Sequence, residues 1–149
     1  MKLIRQPPDS YLCQACCVAM LADVTLEEVL ENAQLHQAPD GSGKMYLTNR
    51  EALRFLLLHW KTLGLMIKFF YERLSFDEGG LVCNAIDKAH ALVGVKSRKY
   101  VSGEHAVVWN ADERMIYDPQ EDEPQPLSGY QVYEWWPLLD LESRTLPDV

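Results

Sequence analysis

The chain has 149 residues, 48% of them hydrophobic, and a formal net charge of −8 at pH 7. This length and composition predict a single domain over residues 1–149, since they suit one ordinary hydrophobic core. The acidic balance, without clusters of basic and aromatic residues, argues against a phosphate-tracking surface and therefore against nucleic acid as a partner.

The apolar stretches are too interrupted for a membrane segment or an export signal. The longest one, residues 53–70, contains Arg54, His59, Lys61 and Lys68, so we expect no membrane partner. Pro7 and Pro8 break the N-terminal apolar run before a signal sequence can develop. Three of the four cysteines lie within five residues, unlike the dispersed cysteines of secreted scaffolds, and this favours reduced thiols and a cytoplasmic location.

Three helices are predicted in the first half of the chain. The first runs over about residues 13–21 and is apolar on all sides, which is typical of a buried central helix. The second follows a capping box that opens at Thr25 and is amphipathic. After a turn-rich loop at residues 38–43, a second capping box at Thr48 opens the third helix, which we expect to continue to residue 63 and stop at Gly64.

The pattern changes to β-rich segments after Gly64. Short strands are predicted at residues 65–71, 91–95, 105–109 and 114–117, with a short helix at 81–89. Residues 110–113 form a good hairpin turn between the last two of these strands. A polar loop follows at 120–126, and a final apolar piece at 130–139. Helices followed by an antiparallel sheet define an α+β fold class.

Four separated residues occur in the order expected for a thiol nucleophile and its supporting groups. Cys13 lies at a predicted helix N-terminus, where free N–H groups and the helix dipole favour a thiolate. His105, at the head of a strand, supplies a base, and Asp118, after the partner strand, fixes its tautomer. Gln6 offers a side-chain amide to a developing oxyanion. The chemistry needs neither a metal nor an organic cofactor.

The other candidate residues have structural explanations. Free cysteine packs as a small hydrophobe, so Cys16, Cys17 and Cys83 are expected to be buried thiols. A zinc site would use Cys13 and Cys16, but the chain has no second cysteine pair to complete it. We place His36 in a loop and His59 and His90 in helical segments with surface or satisfied core roles. The aromatic group is assigned to the core or to the cover of an edge strand: Tyr130, Tyr133, Trp135 and Trp136.

These residues together resemble a papain-like cysteine peptidase, in particular the small domains that trim double-glycine leaders from bacteriocin precursors. The resemblance covers most of the chain: residues 12–20 (LCQACCVAM) occupy the family's cysteine motif, and residues 105–108 (HAVV) and 117–119 (YDP) resemble its histidine strand and Asp-Pro segment. It implies a papain-like fold with Cys13 as nucleophile, His105 as base, Asp118 as orienting acid and Gln6 as oxyanion donor. Gln14 and Ala15 stand where the family has Gly-Pro, and Leu12 stands for its Asp.

The expected activity is hydrolysis of an amide bond in a peptide or protein substrate. The same arrangement also serves protein glutamine deamidation and acyl transfer, and a binding module that keeps the fold without turnover is a further alternative. The sequence leaves these alternatives open, together with the substrate and the oligomeric state.

Overall fold

The computed structural model describes residues 1–64, 67–68, 89–99 and 103–140. Helices dominate the first part of this chain and antiparallel strands the second, so the predicted α+β class is confirmed. The strand and helix predictions for residues 69–71 and 81–88 lie outside the described residues, as does Cys83.

Three α-helices form where the sequence predicts them: α1 (Cys13–Ala22), α2 (Leu26–Asn32) and α3 (Asn49–Trp60). Both predicted N-caps are present, because the hydroxyls of Thr25 and Thr48 accept hydrogen bonds from Glu28 N and Glu51 N, each at 3.2 Å. Helix α1 is the buried central helix, with eight of its residues inaccessible to solvent.

The third helix ends earlier than predicted. Lys61 adopts a left-handed conformation with φ 52°, which stops α3 at Trp60, and residues after it turn into strand β3 (Thr62–Gly64). Strand β3 pairs with the far end of the chain, where Thr62 faces Asp140. A pairing partner nearly eighty residues away leaves no local sequence signal, and this is why a helix was expected here.

A small hairpin that was not predicted lies after α2, and the predicted loop at residues 38–43 belongs to its turn. Strands β1 (His36–Gln37) and β2 (Met45–Tyr46) pair antiparallel around the turn at residues 38–44. His36 therefore lies in a strand and not in a loop. Tyr11, just before α1, forms an isolated parallel bridge with Tyr46, which attaches this hairpin to the segment preceding the first helix.

The remaining described strands join β3 in one sheet, and the described pairs in it are antiparallel. They are β4 (Ile67–Lys68), β5 (Ala91–Lys96), β6 (Glu104–Asn110), β7 (Met115–Tyr117) and β8 (Val132–Asp140). Within the described residues the order is β3-β8-β5-β6-β7, with β4 also pairing with β8. The predicted hairpin between β6 and β7 is confirmed.

Strand β8 is an interior strand of the sheet, because it pairs with β5 on one side and with β3 and β4 on the other. Trp135 on β8 is fully buried and packs against Trp109 with ring centroids 5.7 Å apart. The expected core role is confirmed for Trp135 and Tyr130, whereas Tyr133 and Trp136 are half-buried on a strand that pairs on both sides.

The sheet has an apolar cluster on each face. One contains α1, parts of α2 and α3, and Leu92, Ala106 and Val108 of the sheet. The other contains Val93, Val107 and Trp109, which alternate along the same strands with the first set. Helix α1 therefore packs directly on β5 and β6, and its N-terminus lies near the start of β6. Among the described helices, none has the length and apolar character required to cross a membrane.

Candidate active site

Cys13 is the first residue of α1 and is only partly buried, whereas the helix behind it is closed to solvent. The first intrahelical bond runs from Cys16 N to Leu12 O at 2.9 Å, so the thiol sits in the opening turn, where N–H groups lack helical acceptors. The ring of His105 and the backbone N–H groups of Ala106 and Gln14 act on this sulfur as hydrogen-bond donors that stabilise its negative charge.

His105 is held against Asp118 by the β6–β7 hairpin. The second residue of β6 is His105, and Asp118 follows β7 directly, so the pairing of the two strands sets the distance between their side chains. The ring nitrogen Nε2 lies 2.6 Å from Asp118 Oδ1, and both side chains are almost inaccessible to solvent. Because Nε2 is engaged by the carboxylate, Nδ1 is the nitrogen left to face the Cys13 sulfur.

Both oxygens of the Asp118 carboxylate are fixed. Besides the histidine, Oδ1 accepts a hydrogen bond from Gln120 N at 2.9 Å, and Oδ2 accepts one from the Tyr130 hydroxyl at 2.7 Å. Tyr130 is itself buried, and the Arg98 guanidinium lies 4.8 Å from the centre of its ring. The carboxylate therefore has no freedom to rotate away from His105.

The charges of the site stabilise a thiolate and an imidazolium. Burial acts to raise the pKa of Cys13, but the hydrogen bond and charge of His105 and the two backbone N–H groups outweigh it, so this pKa lies below its usual value. Burial likewise acts to lower the pKa of His105, yet its bonds to Asp118 and Cys13 raise it to about 9. Burial acts to raise the pKa of the Asp118 carboxyl, but the hydrogen bond and charge of His105, with the bonds from Gln120 N and the Tyr130 hydroxyl, outweigh it. This pKa therefore lies below its ordinary value, and Asp118 keeps its negative charge.

Gln6 is anchored beside this group through its backbone. Its N–H donates to Pro119 O at 2.9 Å, directly after Asp118, and this bond ties the N-terminal segment to the C-terminal half. Its side-chain Nε2 donates one hydrogen to Ser10 O at 3.0 Å. The second hydrogen of Nε2 remains for a ligand, and Gln6 lines the same cleft as Cys13 and His105.

The cleft has a volume of about 1160 Å³ and is open to solvent. Its walls are the N-terminal segment, the β1–β2 hairpin, the starts of α1 and α3, and the strand ends around His105. On one wall Lys44 forms an ion pair with Asp9 at 2.7 Å, and Tyr11 donates to Asp40 Oδ2 at 2.5 Å. These bonds connect the segment before the nucleophile to the β1–β2 hairpin, so side-chain contacts hold that side of the cleft together.

A chain of polar side chains next to the nucleophile was not predicted. Gln14 donates to Asn49 Oδ1, Asn49 Nδ2 donates to Glu134 Oε2 at 3.3 Å, and Trp136 Nε1 donates to the same oxygen at 3.2 Å. The three residues Gln14, Asn49 and Glu134 line the cleft. They come from α1, α3 and β8, and nothing in their sequence spacing indicates that they meet.

The remaining histidines lie apart from the site. His59 stacks on Phe55 with ring centroids 4.4 Å apart, in α3 as predicted. His90 is not helical, contrary to the prediction; its ring accepts a hydrogen bond from Ala111 N at 3.0 Å and lies 3.6 Å from the Asp112 carboxylate. No group of three or more histidine, cysteine or acidic side chains suited to a metal ion occurs in the described part of the chain.

The structure thus brings together Cys13, His105 and Asp118, and it places Gln6 on the wall of the same cleft. Tyr130 is the supporting residue that sequence analysis assigned to structure alone. Its one available signal was its membership of an aromatic group, which does not distinguish a core tyrosine from a hydrogen-bond donor.

Comparison with known proteins adds no relative: the chain matches no family model, no curated protein and no solved structure.

Proposed function

We propose that this protein is a cysteine-dependent hydrolase of the papain-like type, acting as a peptidase on an amide bond of a peptide or protein. The observation that carries the proposal is the Cys13, His105 and Asp118 arrangement, in which His105 bonds to both the thiol and a carboxylate 2.6 Å away. A helix that presents the nucleophile and packs against an antiparallel sheet that presents the base supports a papain-like arrangement.

In the proposed reaction the Cys13 thiolate attacks the carbonyl carbon and forms a carbon–sulfur bond. The negative charge moves to the carbonyl oxygen, where Gln6 Nε2 and the backbone N–H of Cys13 donate hydrogen bonds. His105 then gives its proton to the departing amine as the carbon–nitrogen bond breaks. A water molecule, losing a proton to His105, hydrolyses the thioester and releases the acid and the free thiol.

Asp118 keeps its charge throughout this cycle. It holds Nε2 of the ring, so Nδ1 always faces the sulfur, and its negative charge stabilises the imidazolium of the resting site. Solvent reaches Cys13 from the cleft, whereas the histidine and the carboxylate are covered. The cleft volume of about 1160 Å³ is sufficient for an extended peptide segment.

The proposal is tested by exposing a peptide library derived from cell extracts to the wild type and to Cys13→Ala, and by identifying new chain termini by mass spectrometry. We expect new termini with the wild type and none with Cys13→Ala. Cys17→Ala is the matched control, because Cys17 is buried in the same helix and takes no part in the reaction. It should cleave the same bonds as the wild type.

Two outcomes contradict peptidase activity. Peptides that gain about 1 Da without being cleaved indicate glutamine deamidation through the same acyl-enzyme chemistry. Unchanged peptides that are retained equally by the wild type and Cys13→Ala indicate a binding module.

A further inference from the structure

Helix α1 carries a second cysteine that the proposed hydrolysis does not use. Cys13 and Cys16 are three residues apart in the opening turns, and both are free thiols. Side chains at this spacing are neighbours on a helix, with Cβ atoms about 5–6 Å apart. Bridged cysteines have Cα atoms about 4.4–6.8 Å and Cβ atoms about 3.5–4.5 Å apart, so closing the bridge requires the opening turn to bring the two Cβ atoms closer by about 1–2 Å.

The opening turn of α1 has no side-chain cap that would oppose this adjustment. Leu12 occupies the N-cap position and provides no side-chain hydrogen bond to the helix. Helices capped by serine, threonine or aspartate have their first turn fixed by such a bond, as α2 has through Thr25. The start of α1 therefore lacks one constraint that the start of α2 has.

The two thiols differ in the way required for a redox pair. Cys13 is partly exposed to the cleft and its pKa is lowered, whereas Cys16 is fully buried. Burial, and then the negative charge of Cys13, raise the pKa of Cys16 to about 12. Once the Cys13 sulfur is bonded to another sulfur, its charge is gone and one of the two causes that keep Cys16 protonated disappears.

We propose that Cys13 and Cys16 form a redox-active dithiol, which a low-molecular-weight disulfide converts reversibly into a disulfide within α1. This inference uses the nucleophile of the proposed function, but it does not depend on hydrolysis. Cys13 attacks first because, of the three cysteines that the structure describes, it is the one that lines the cleft, and Cys16 then resolves the mixed disulfide.

The exchange is balanced with oxidised glutathione as the co-reactant. The Cys13 thiolate attacks one glutathione sulfur, the disulfide bond of glutathione breaks, and one glutathione thiolate leaves. Cys16 then attacks the Cys13 sulfur and displaces the second glutathione. The proton that His105 held for Cys13 and the thiol proton of Cys16 end on the two glutathione molecules. The oxidised protein has no thiolate at Cys13 and cannot act as a hydrolase until a dithiol reduces it.

The experiment is intact-mass analysis of the reduced full-length protein after incubation with oxidised glutathione, followed by peptide mapping without reductant. The wild type should lose about 2 Da and show a Cys13 to Cys16 bridge. Cys16→Ser should instead stop at the mixed disulfide and gain about 305 Da on Cys13. Cys17→Ser should form the bridge like the wild type, since it removes a buried cysteine that the proposal does not use.

Persistent glutathione on Cys13 of the wild type, or a bridge from Cys13 to any cysteine other than Cys16, overturns the proposal. If Cys16→Ser does not fold, Cys16→Ala replaces it, because alanine is small and apolar enough for this buried site. The result is independent of the peptidase test: bridging without peptide cleavage contradicts the hydrolase alone, and cleavage by a protein that never bridges contradicts the redox pair alone.

Discussion

The charge of the Cys13 thiol depends on the neighbouring His105 ring. His105 bonds to the thiol and carries a pKa raised to about 9, while the pKa of Cys13 is lowered. These opposite shifts favour a thiolate beside an imidazolium, because each charge stabilises the other.

We therefore expect iodoacetamide to alkylate Cys13 rapidly at pH values where an ordinary cysteine is protonated. In His105→Ala the midpoint of the pH dependence should rise to the ordinary cysteine range or above it, about 8.5 or higher, because burial remains while the stabilising imidazolium is gone. The measurement is the alkylation rate of Cys13, followed by peptide mass spectrometry from pH 5 to 10. Equal midpoints in the two proteins would contradict the ion pair.

Asp118 depends in turn on Tyr130, whose hydroxyl is 2.7 Å from Oδ2. Tyr130→Phe removes this bond from a buried carboxylate and should lower the free energy of unfolding by about 1–3 kcal/mol at pH 7. The bond favours the ionised carboxyl, and the folded-state pKa of Asp118 is below its unfolded value. The stability from Asp118 is thus present above its unfolded pKa and lost as pH falls through its folded pKa, so the variant and the wild type should converge as pH falls below the ordinary aspartate range.

The matched control for Tyr130→Phe is Tyr11→Phe. Tyr11 also donates to a carboxylate, Asp40, but both side chains are exposed. Its loss should change the free energy of unfolding by less than about 0.5 kcal/mol. Urea denaturation of the three proteins measures these differences, and equal effects of the two substitutions would show that the buried bond to Asp118 has no special role.

At this scale the sequence indicated Cys13, His105, Asp118 and Gln6, because each belongs to a short motif with recognisable chemistry. It did not indicate Tyr130. The tyrosine reaches Asp118 through the turn of 3-10 helix at Leu127–Gly129 and the irregular segment before it, and no spacing rule predicts the path of such a segment.

The β6–β7 hairpin is the element that keeps the base and the acid together. Its turn is organised by Asn110, a buried residue whose Oδ1 accepts hydrogen bonds from Asp112 N at 3.0 Å and Glu113 N at 3.1 Å. Asparagine is favoured in turns for this type of local bond, so the turn was predictable from the sequence.

Asn110→Ala removes the acceptor of both N–H groups and should lower the free energy of unfolding by about 1–3 kcal/mol. Because the hairpin also sets the His105 to Asp118 contact, the alkylation midpoint of Cys13 should rise in the same variant. Asn110→Asp retains the acceptor oxygen and is the control, with a smaller loss of stability. Thermal unfolding and alkylation measure the two effects. A lower stability with an unchanged midpoint would show that the turn does not set the contact between His105 and Asp118.

The elements differ in how visible they are in the sequence. Helices α1, α2 and α3 begin where they were predicted, since the thiol motif and the two threonine caps mark their starts locally. The end of α3, the β1–β2 hairpin and β3 were not predicted. These depend on a left-handed Lys61 and on strand partners far along the chain, and single-residue propensities do not encode either.

The whole molecule assembles its site from two halves. Helix α1 carries the thiol, and the sheet carries the imidazole and the carboxylate, so their distance is set by how closely α1 packs on β5 and β6. The α+β class followed from the order of helical and β-rich segments. The interior position of β8 did not, because its pairing with β5 joins residues such as Ala91 and Pro137 across the intervening β6–β7 hairpin.

Ala19 of α1 is fully buried in the apolar cluster that this helix shares with β5 and β6. Ala19→Leu adds volume where none is available, so it should lower the free energy of unfolding by about 1–3 kcal/mol and move α1 away from the sheet. The thiol would then lose its bond to His105, and the alkylation midpoint of Cys13 would rise.

Ala19→Gly tests whether the alkylation midpoint of Cys13 depends on overall stability or on the distance between α1 and the sheet. Glycine should destabilise the helix by about 1 kcal/mol without adding volume, so α1 keeps its place on the sheet and the midpoint of Cys13 stays at the wild-type value. Paired thermal unfolding and alkylation curves for the two variants test this. If glycine raised the midpoint as much as leucine, the charge state of Cys13 would follow overall stability and not the spacing of the two halves.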